Sequence, residues 1–127
     1  MMPIRTIEAI LHEQPIETYN GGLLQRDWTY VDDLVNGLLL ALEKPLGYEI
    51  LNIGYGKPIS LNRFIEIYEQ LIGKRALVRN VPAPLSEPPI TYCDNTRARQ
   101  LLGFNPCVPI EEGLARTWQW YRETHGI

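Results

Sequence analysis

The chain has 127 residues, 45% of them hydrophobic, which allows one core and excludes two. Twelve Lys and Arg stand against fifteen Asp and Glu, and the basic residues are scattered, so the positive patch that grips a nucleic-acid backbone is missing. No apolar run approaches the ~20 residues that span a bilayer, and Glu8 and His12 interrupt the amino terminus where a secretory signal would be apolar, so a cytoplasmic protein is expected.

Pro3 suits a first helical turn, and Ile4, Ile7, Ile10 and Leu11 recur at helical spacing, predicting a helix to about His12 whose apolar face needs a partner. Pro15 ends it. Ile16 to Tyr19 alternates as a short strand, and Asn20-Gly21-Gly22 accepts positive φ, predicting a tight turn at which the chain reverses. Val31, Leu34, Val35, Leu38, Leu39 and Leu42 then fall on one face of a helix that begins near Asp32 and Asp33. Adjacent residues on a helix do not face each other, so these two carboxylates are expected to cap the helix rather than work as a catalytic pair. After the break at Lys44-Pro45, Tyr48 to Ile53 reads as a buried strand, and Gly54 and Gly56 mark a loop leading to Ser60, a good N-cap.

Leu61, Phe64, Ile65, Tyr68, Leu71 and Ile72 trace a further amphipathic helix, closed by Gly73 in the position favoured for a left-handed cap. Ala76 to Val81 reads as a strand. Pro82, Pro84, Pro88 and Pro89 continue neither a helix nor a central strand and predict a shaped loop. Asp94 or Asn95 caps a short helix ending at Gly103, and Pro109 opens a last one with Ile110, Leu114, Trp118 and Tyr121 on its buried stripe and Trp120 outside it. Cys93 and Cys107 have no zinc-ligand or C-x-x-C spacing, which predicts two reduced, inert and buried thiols. His12 and His125, at helix ends with no nucleophile or metal ligand close by in sequence, are expected to be solvated.

Four segments carry a family likeness: Arg26-Asp27-Trp28-Thr29-Tyr30-Val31-Asp32-Asp33, Asn52-Ile53-Gly54, Thr91-Tyr92-Cys93-Asp94, and Leu102-Gly103-Phe104-Asn105-Pro106 followed by Ile110-Glu111-Glu112-Gly113-Leu114 and Trp120-Tyr121-Arg122. In this order they resemble the carboxyl-terminal region of the extended short-chain dehydrogenase/reductase family, the NAD-dependent nucleotide-sugar epimerases and dehydratases. The T-Y-x-D element is most similar to that of UDP-glucuronate 4-epimerases. The resemblance implies an α/β fold of short strands and about five helices, the small substrate-binding portion of a Rossmann-fold enzyme. It implies that residues 1–127 form a single partial domain, because family members run more than twice this length and carry their dinucleotide-binding half before this region.

The complete enzyme, by the same resemblance, oxidises a sugar C4 hydroxyl with bound NAD, alters the intermediate and reduces it again. Here Gly54-Tyr55-Gly56 lacks the third glycine of a dinucleotide turn, and no tyrosine is followed four residues later by lysine. No catalytic, cofactor-binding or metal-binding residue is therefore expected on this chain, which alone should hold no NAD and be inactive. The expected partners are a UDP-sugar, bound weakly, and the absent Rossmann half. Such an absence should expose the apolar face of Ile4, Ile7 and Leu11, with homo-oligomerisation as the remedy. Two alternatives stay open: a related dehydratase, decarboxylase or reductase, and a non-catalytic interaction domain.

Four residues are the substrate-binding candidates. Arg26 matches the arginine that in relatives contacts the diphosphate; a planar guanidinium holds phosphate oxygens with two parallel charged bonds. The plainer reading is a surface arginine paired with Asp27. Tyr19 and Asn20 match the segment that in relatives runs beside the uracil, although an aromatic residue ending a strand is ordinarily packing. Glu87 matches the acidic residue of the R-x-G-[DE] loop, whose carboxylate takes ribose hydroxyls. That motif's arginine falls here on Pro84 and its glycine on Ser86, which removes one phosphate contact.

Overall fold

Three helices share the principal core of the computed structural model, which describes residues 2–127. They are α1 (Met2–Leu11), α3 (Leu61–Ile72) and α5 (Ile110–His125). Ile7, Ile10, Phe64, Ile65, Ile67, Tyr68, Leu114 and Tyr121 interlock there, each 5% exposed or less. At about 1.5–3 kcal/mol for a large apolar side chain, this cluster is the main source of stability. The face of α1 expected to be bare is therefore covered: Ile7 is fully buried, and Ile4 and Leu11 pack against the same cluster. Local signals hold for α3, where Ser60 Oγ accepts the N–H of Arg63 and Gly73 adopts φ 76°.

Two small sheets flank the helices. In the first, β1 (Pro15–Tyr19) runs parallel to β4 (Leu77–Val81), with Ile16 opposite Val78 and Tyr19 opposite Val81. In the second, β2 (Gln25–Arg26) lies between antiparallel β3 (Ile59–Ser60) and parallel β5 (Ile90–Thr91). Asn20, Gly21 and Gly22 all take positive φ, in a short 3-10 turn. That turn is not a hairpin, since β1 and β2 belong to different sheets; it redirects the chain from one sheet to the other. A Cβ on Gly22 would lie 1.9 Å from Asn62 Oδ1, and Asn62 itself donates to Gly21 O at 2.6 Å.

Helix α2 (Val31–Glu43) stands apart from the principal core. Its Leu40 joins a second cluster with Ala98 and Leu102 of α4 (Thr96–Leu102), Phe104, Leu51 and Ile53. The rest of its apolar stripe is bare: Val31, Leu34, Val35, Leu38, Leu39 and Leu42 are 42–82% exposed.

Tyr48 to Ile53, read from sequence as a buried strand, is a loop without regular structure, with Tyr48 and Ile50 exposed. A strand's N–H and C=O groups need a neighbour, and no described strand lies alongside. Capping by Asp32 and Asp33 is also overturned. The N-cap is Tyr30 without a side-chain bond, Asp33 is 2% exposed and bonded elsewhere, and Asp32 pairs with Arg116 at 2.9 Å. Asn95 takes the N-cap position of α4 without a side-chain cap bond, while Asp94 Oδ1 accepts the N–H of Thr96, the first residue of that helix, at 3.0 Å. Cys107, expected to be buried, is exposed. Among the described residues no helix is long and apolar enough to cross a membrane.

Candidate functional site

Arg26 ends β2, where it lies opposite Thr91 of β5. The next residue leaves the sheet and works as a clip. Asp27 Oδ2 accepts the N–H of Gly56 at 2.8 Å and that of Cys93 at 3.0 Å. Thr29 Oγ1 accepts the N–H of Tyr55 at 3.1 Å, and buried Asn95 donates to the carbonyls of Gly54 and Tyr55 at 2.8 and 3.3 Å. These bonds draw three of the four family segments into one wall. Asp27, Thr29, Asn52, Gly54, Tyr92 and Asp94 line an open cleft of about 470 Å³. A Cβ on Gly54 would lie 2.6 Å from Cys93 Cβ, so glycine here permits the close approach of two segments.

The same bonds decide what Gly54-Tyr55-Gly56 can hold. Its N–H groups at Tyr55 and Gly56 are given to Thr29 and Asp27, and it leads into a loop, with α3 starting only at Leu61. A dinucleotide pyrophosphate needs free N–H groups at a helix start, so these residues do not fit NAD, and no step of hydride chemistry is assigned to them. Burial, followed by the charges of Asp27 and Asp94, pushes the Cys93 thiol above its ordinary pKa. It is thus kept as a neutral thiol, a poor nucleophile. Among the described residues no group of three or more His, Cys, Asp or Glu is placed to hold a metal ion.

Two sequence candidates come together. The Arg26 guanidinium forms an ion pair with the Glu87 carboxylate and donates from Nη1 to Gln25 O at 2.6 Å. Its partner is therefore Glu87 and not neighbouring Asp27, whose bonds go to backbone. Glu87 rides on the Pro82–Pro89 connection, which forms a shaped turn closed by Glu87 N–H to Pro84 O at 3.0 Å, with its end fixed by Gln25 N–H to Pro89 O at 2.9 Å.

Tyr19 and Asn20 lie at the other end of that connection. Tyr19 sits half-buried opposite Val81, the last residue of β4, while Asn20 is exposed. The turn after them is tied to β4 by Gly21 N–H to Asn80 Oδ1 at 2.8 Å. No direct bond joins Tyr19 or Asn20 to Arg26 or Glu87 among the described residues. The sequence reading missed Asp27 and Asn95 as organisers of the cleft. The available signal was a carboxylate placed where a strand ends beside glycine-rich and extended segments.

The sequence profile of the NAD dependent epimerase/dehydratase family matches residues 1–54, which include the R-D-W-T and N-I-G segments. A UDP-glucuronate 4-epimerase of Thermodesulfobacterium geofontis is 44% identical over 124 residues, 97% of this chain and 38% of that protein. The solved structure of MoeE5 in complex with UDP-glucuronic acid and NAD matches with a TM-score of 0.89 at 33% identity, over 98% of this chain and 42% of that one. The UDP-glucuronic acid 4-epimerase of Bacillus cereus, solved with UDP-glucuronic acid and NAD, gives 0.88 at 30% identity, over 98% and 40%. The chain thus spans about two-fifths of the length of each relative.

Proposed function

Because the chain belongs to the NAD dependent epimerase/dehydratase family, we propose that it is the UDP-sugar-binding portion of a 4-epimerase acting on UDP-glucuronate or a related UDP-hexose. Arg26 meets the diphosphate, Glu87 the ribose hydroxyls, and Tyr19 and Asn20 the uracil. The observation that carries this reading is the meeting of Arg26 and Glu87, which lie 61 residues apart in sequence, beside the motif-lined cleft. A positive fork and a carboxylate side by side suit a ligand that bears phosphates next to vicinal hydroxyls.

Residues 1–127 act as one partial unit, and the bare stripe of α2 is the surface on which a dinucleotide-binding half docks. That half brings the NAD site and the groups that move the proton and hydride. With one wall of the crevice formed by the other half, this chain alone binds the nucleotide weakly, since small-ligand sites depend on enclosure.

The test is a titration of the chain with UDP, followed by chemical-shift changes that register weak binding. Changes centred on Arg26, Glu87 and Tyr19, lost in Arg26→Ala, are expected. UDP binding that ignores Arg26→Ala would overturn the site. With a dinucleotide-binding half joined to the chain, NAD and UDP-glucuronate should give a product inverted at C4. Loss of carbon dioxide or of water would instead assign the decarboxylase or dehydratase reaction, and no turnover would favour an interaction domain.

A further inference from the structure

We propose that Glu87 is a built-in competitor for Arg26: its carboxylate blocks the guanidinium against simple anions and yields to a ligand that can rehouse it, a ribose-bearing diphosphate. The inference rests on the reading of Arg26 as the diphosphate contact and deepens it, by making Glu87 the residue that sets ligand class.

The pair is unlike the other ion pairs of the fold. Arg26 and Glu87 side chains are 27% and 32% exposed, whereas every other described pair has at least one partner above 40%. Exposed pairs are screened and contribute little; a half-buried pair with both ends held is harder to part. Both ends are held here. Arg26 is anchored through Nη1 to Gln25 O, and Glu87 sits on a connection whose prolines fix φ and whose turn closes on Pro84 O. The carboxylate is thus presented to the guanidinium by the backbone and not by a freely rotating surface loop.

A phosphate oxygen that approaches Arg26 meets this carboxylate already on the fork. Two anions on one guanidinium repel, so Glu87 has to swing aside. With inorganic pyrophosphate it gains only water in exchange, and its charge stays beside a more highly charged anion. A nucleoside diphosphate carries two adjacent ribose hydroxyls a short distance from its phosphates, and a carboxylate accepts hydrogen bonds from both. The carboxylate moves from guanidinium to ribose, and the cost of leaving Arg26 is offset. Glu87 therefore penalises one ligand class and rewards the other.

The test compares inorganic pyrophosphate with UDP on the 127-residue chain, on Glu87→Gln and on Arg26→Ala, using chemical shifts and the Arg26 side-chain Nε signal as readouts. Glutamine keeps the shape and removes the charge. Glu87→Gln should bind pyrophosphate more tightly and UDP more weakly, lowering the preference for UDP by roughly tenfold, the size of one charged hydrogen bond. A preference unchanged by Glu87→Gln overturns the proposal, as does a shift of both affinities in the same direction. Absence of pyrophosphate binding in both parent and Glu87→Gln overturns it as well. If Arg26→Ala keeps both ligands, the reading of Arg26 itself has failed, an outcome separate from failure at Glu87.

Discussion

Asp33 Oδ2 accepts the backbone N–H of Val108 at 3.0 Å, while its Oδ1 accepts that of Cys107 at 2.9 Å. A single buried carboxylate in the first turn of α2 thereby fixes the segment that leads into α5. Asp33→Ala leaves two backbone N–H groups without their partner: that of buried Val108, at about 1–3 kcal/mol for a buried group left unsatisfied, and that of exposed Cys107, which water can take over at less cost. A clear fall in the urea midpoint is expected for Asp33→Ala, with Asp32→Ala, on the exposed face, nearly silent. Equal effects for the two would show that the carboxylates act only through the helix dipole.

Periodicity made the helices legible, because a 3.6-residue repeat with Ser60 in front and Gly73 behind is local information. What covers an apolar face is not local. The stripe of Ile4, Ile7 and Leu11 and the stripe of Leu34, Leu38 and Leu42 read alike, yet α3 and α5 cover the first while the second stays open. Tyr48 to Ile53 fails as a strand for the same reason: its composition asks for a neighbour that the described residues do not supply. At the site, motif order singled out Arg26 and Glu87, but only the parallel pairing of β2 with β5 puts them in contact. Asp27 and Asn95 were hidden because their bonds reach segments 29 to 66 residues away.

The fit between Gly54 and Cys93 gives a second test. Gly54→Ala places a Cβ 2.6 Å from Cys93 Cβ, which forces the cleft wall apart at about 1–3 kcal/mol for overpacking. Cys93→Gly removes the obstructing atom. Gly54→Ala should therefore cost clearly less in the Cys93→Gly background than in the parent, as a double-mutant cycle of unfolding free energies would register. Additive costs would mean that the two segments are not in contact.

Tyr68 is fully buried on α3, packed edge-on against Phe64 with ring centroids 5.4 Å apart. Its hydroxyl has no hydrogen-bond partner among the described residues, and burial drives its pKa far upward. Tyr68→Phe removes an uncompensated polar atom and keeps the ring, so equal or higher stability is expected. The sign at alkaline pH follows from the shift. The unfolded chain ionises near the ordinary tyrosine value while the folded chain does not, so stability falls as pH rises past about 10. Tyr68→Phe should flatten that fall. A lower urea midpoint for Tyr68→Phe would show that the hydroxyl is bonded.

The exposed Cys107 should be slow to alkylate despite its access to solvent. The negative charge of Asp33, followed by the hydrogen bond to its carboxylate, raises the thiol's pKa, and the thiolate is the reacting form. In a Cys93→Ser background, the pH profile of iodoacetamide labelling should turn upward at a higher pH than that of a free cysteine peptide. A profile at or below the peptide's would remove Asp33 from the account.

The open stripe of α2 predicts the behaviour of the chain on its own. Leu38 and Leu42 are 55% and 82% exposed on the same face, and a contiguous apolar patch of this kind marks an interaction surface. Where a dinucleotide-binding half is not docked, two copies can cover one another's stripes, so sedimentation should show association that grows with concentration. Leu38→Glu with Leu42→Glu should give a monomer of unchanged helix content, because neither side chain is needed for the core. If the proposed dinucleotide-binding half docks on this stripe, its docking should compete with self-association. A monomer at high concentration in the parent chain would leave the stripe without this role, and association untouched by the double change would move the interface elsewhere.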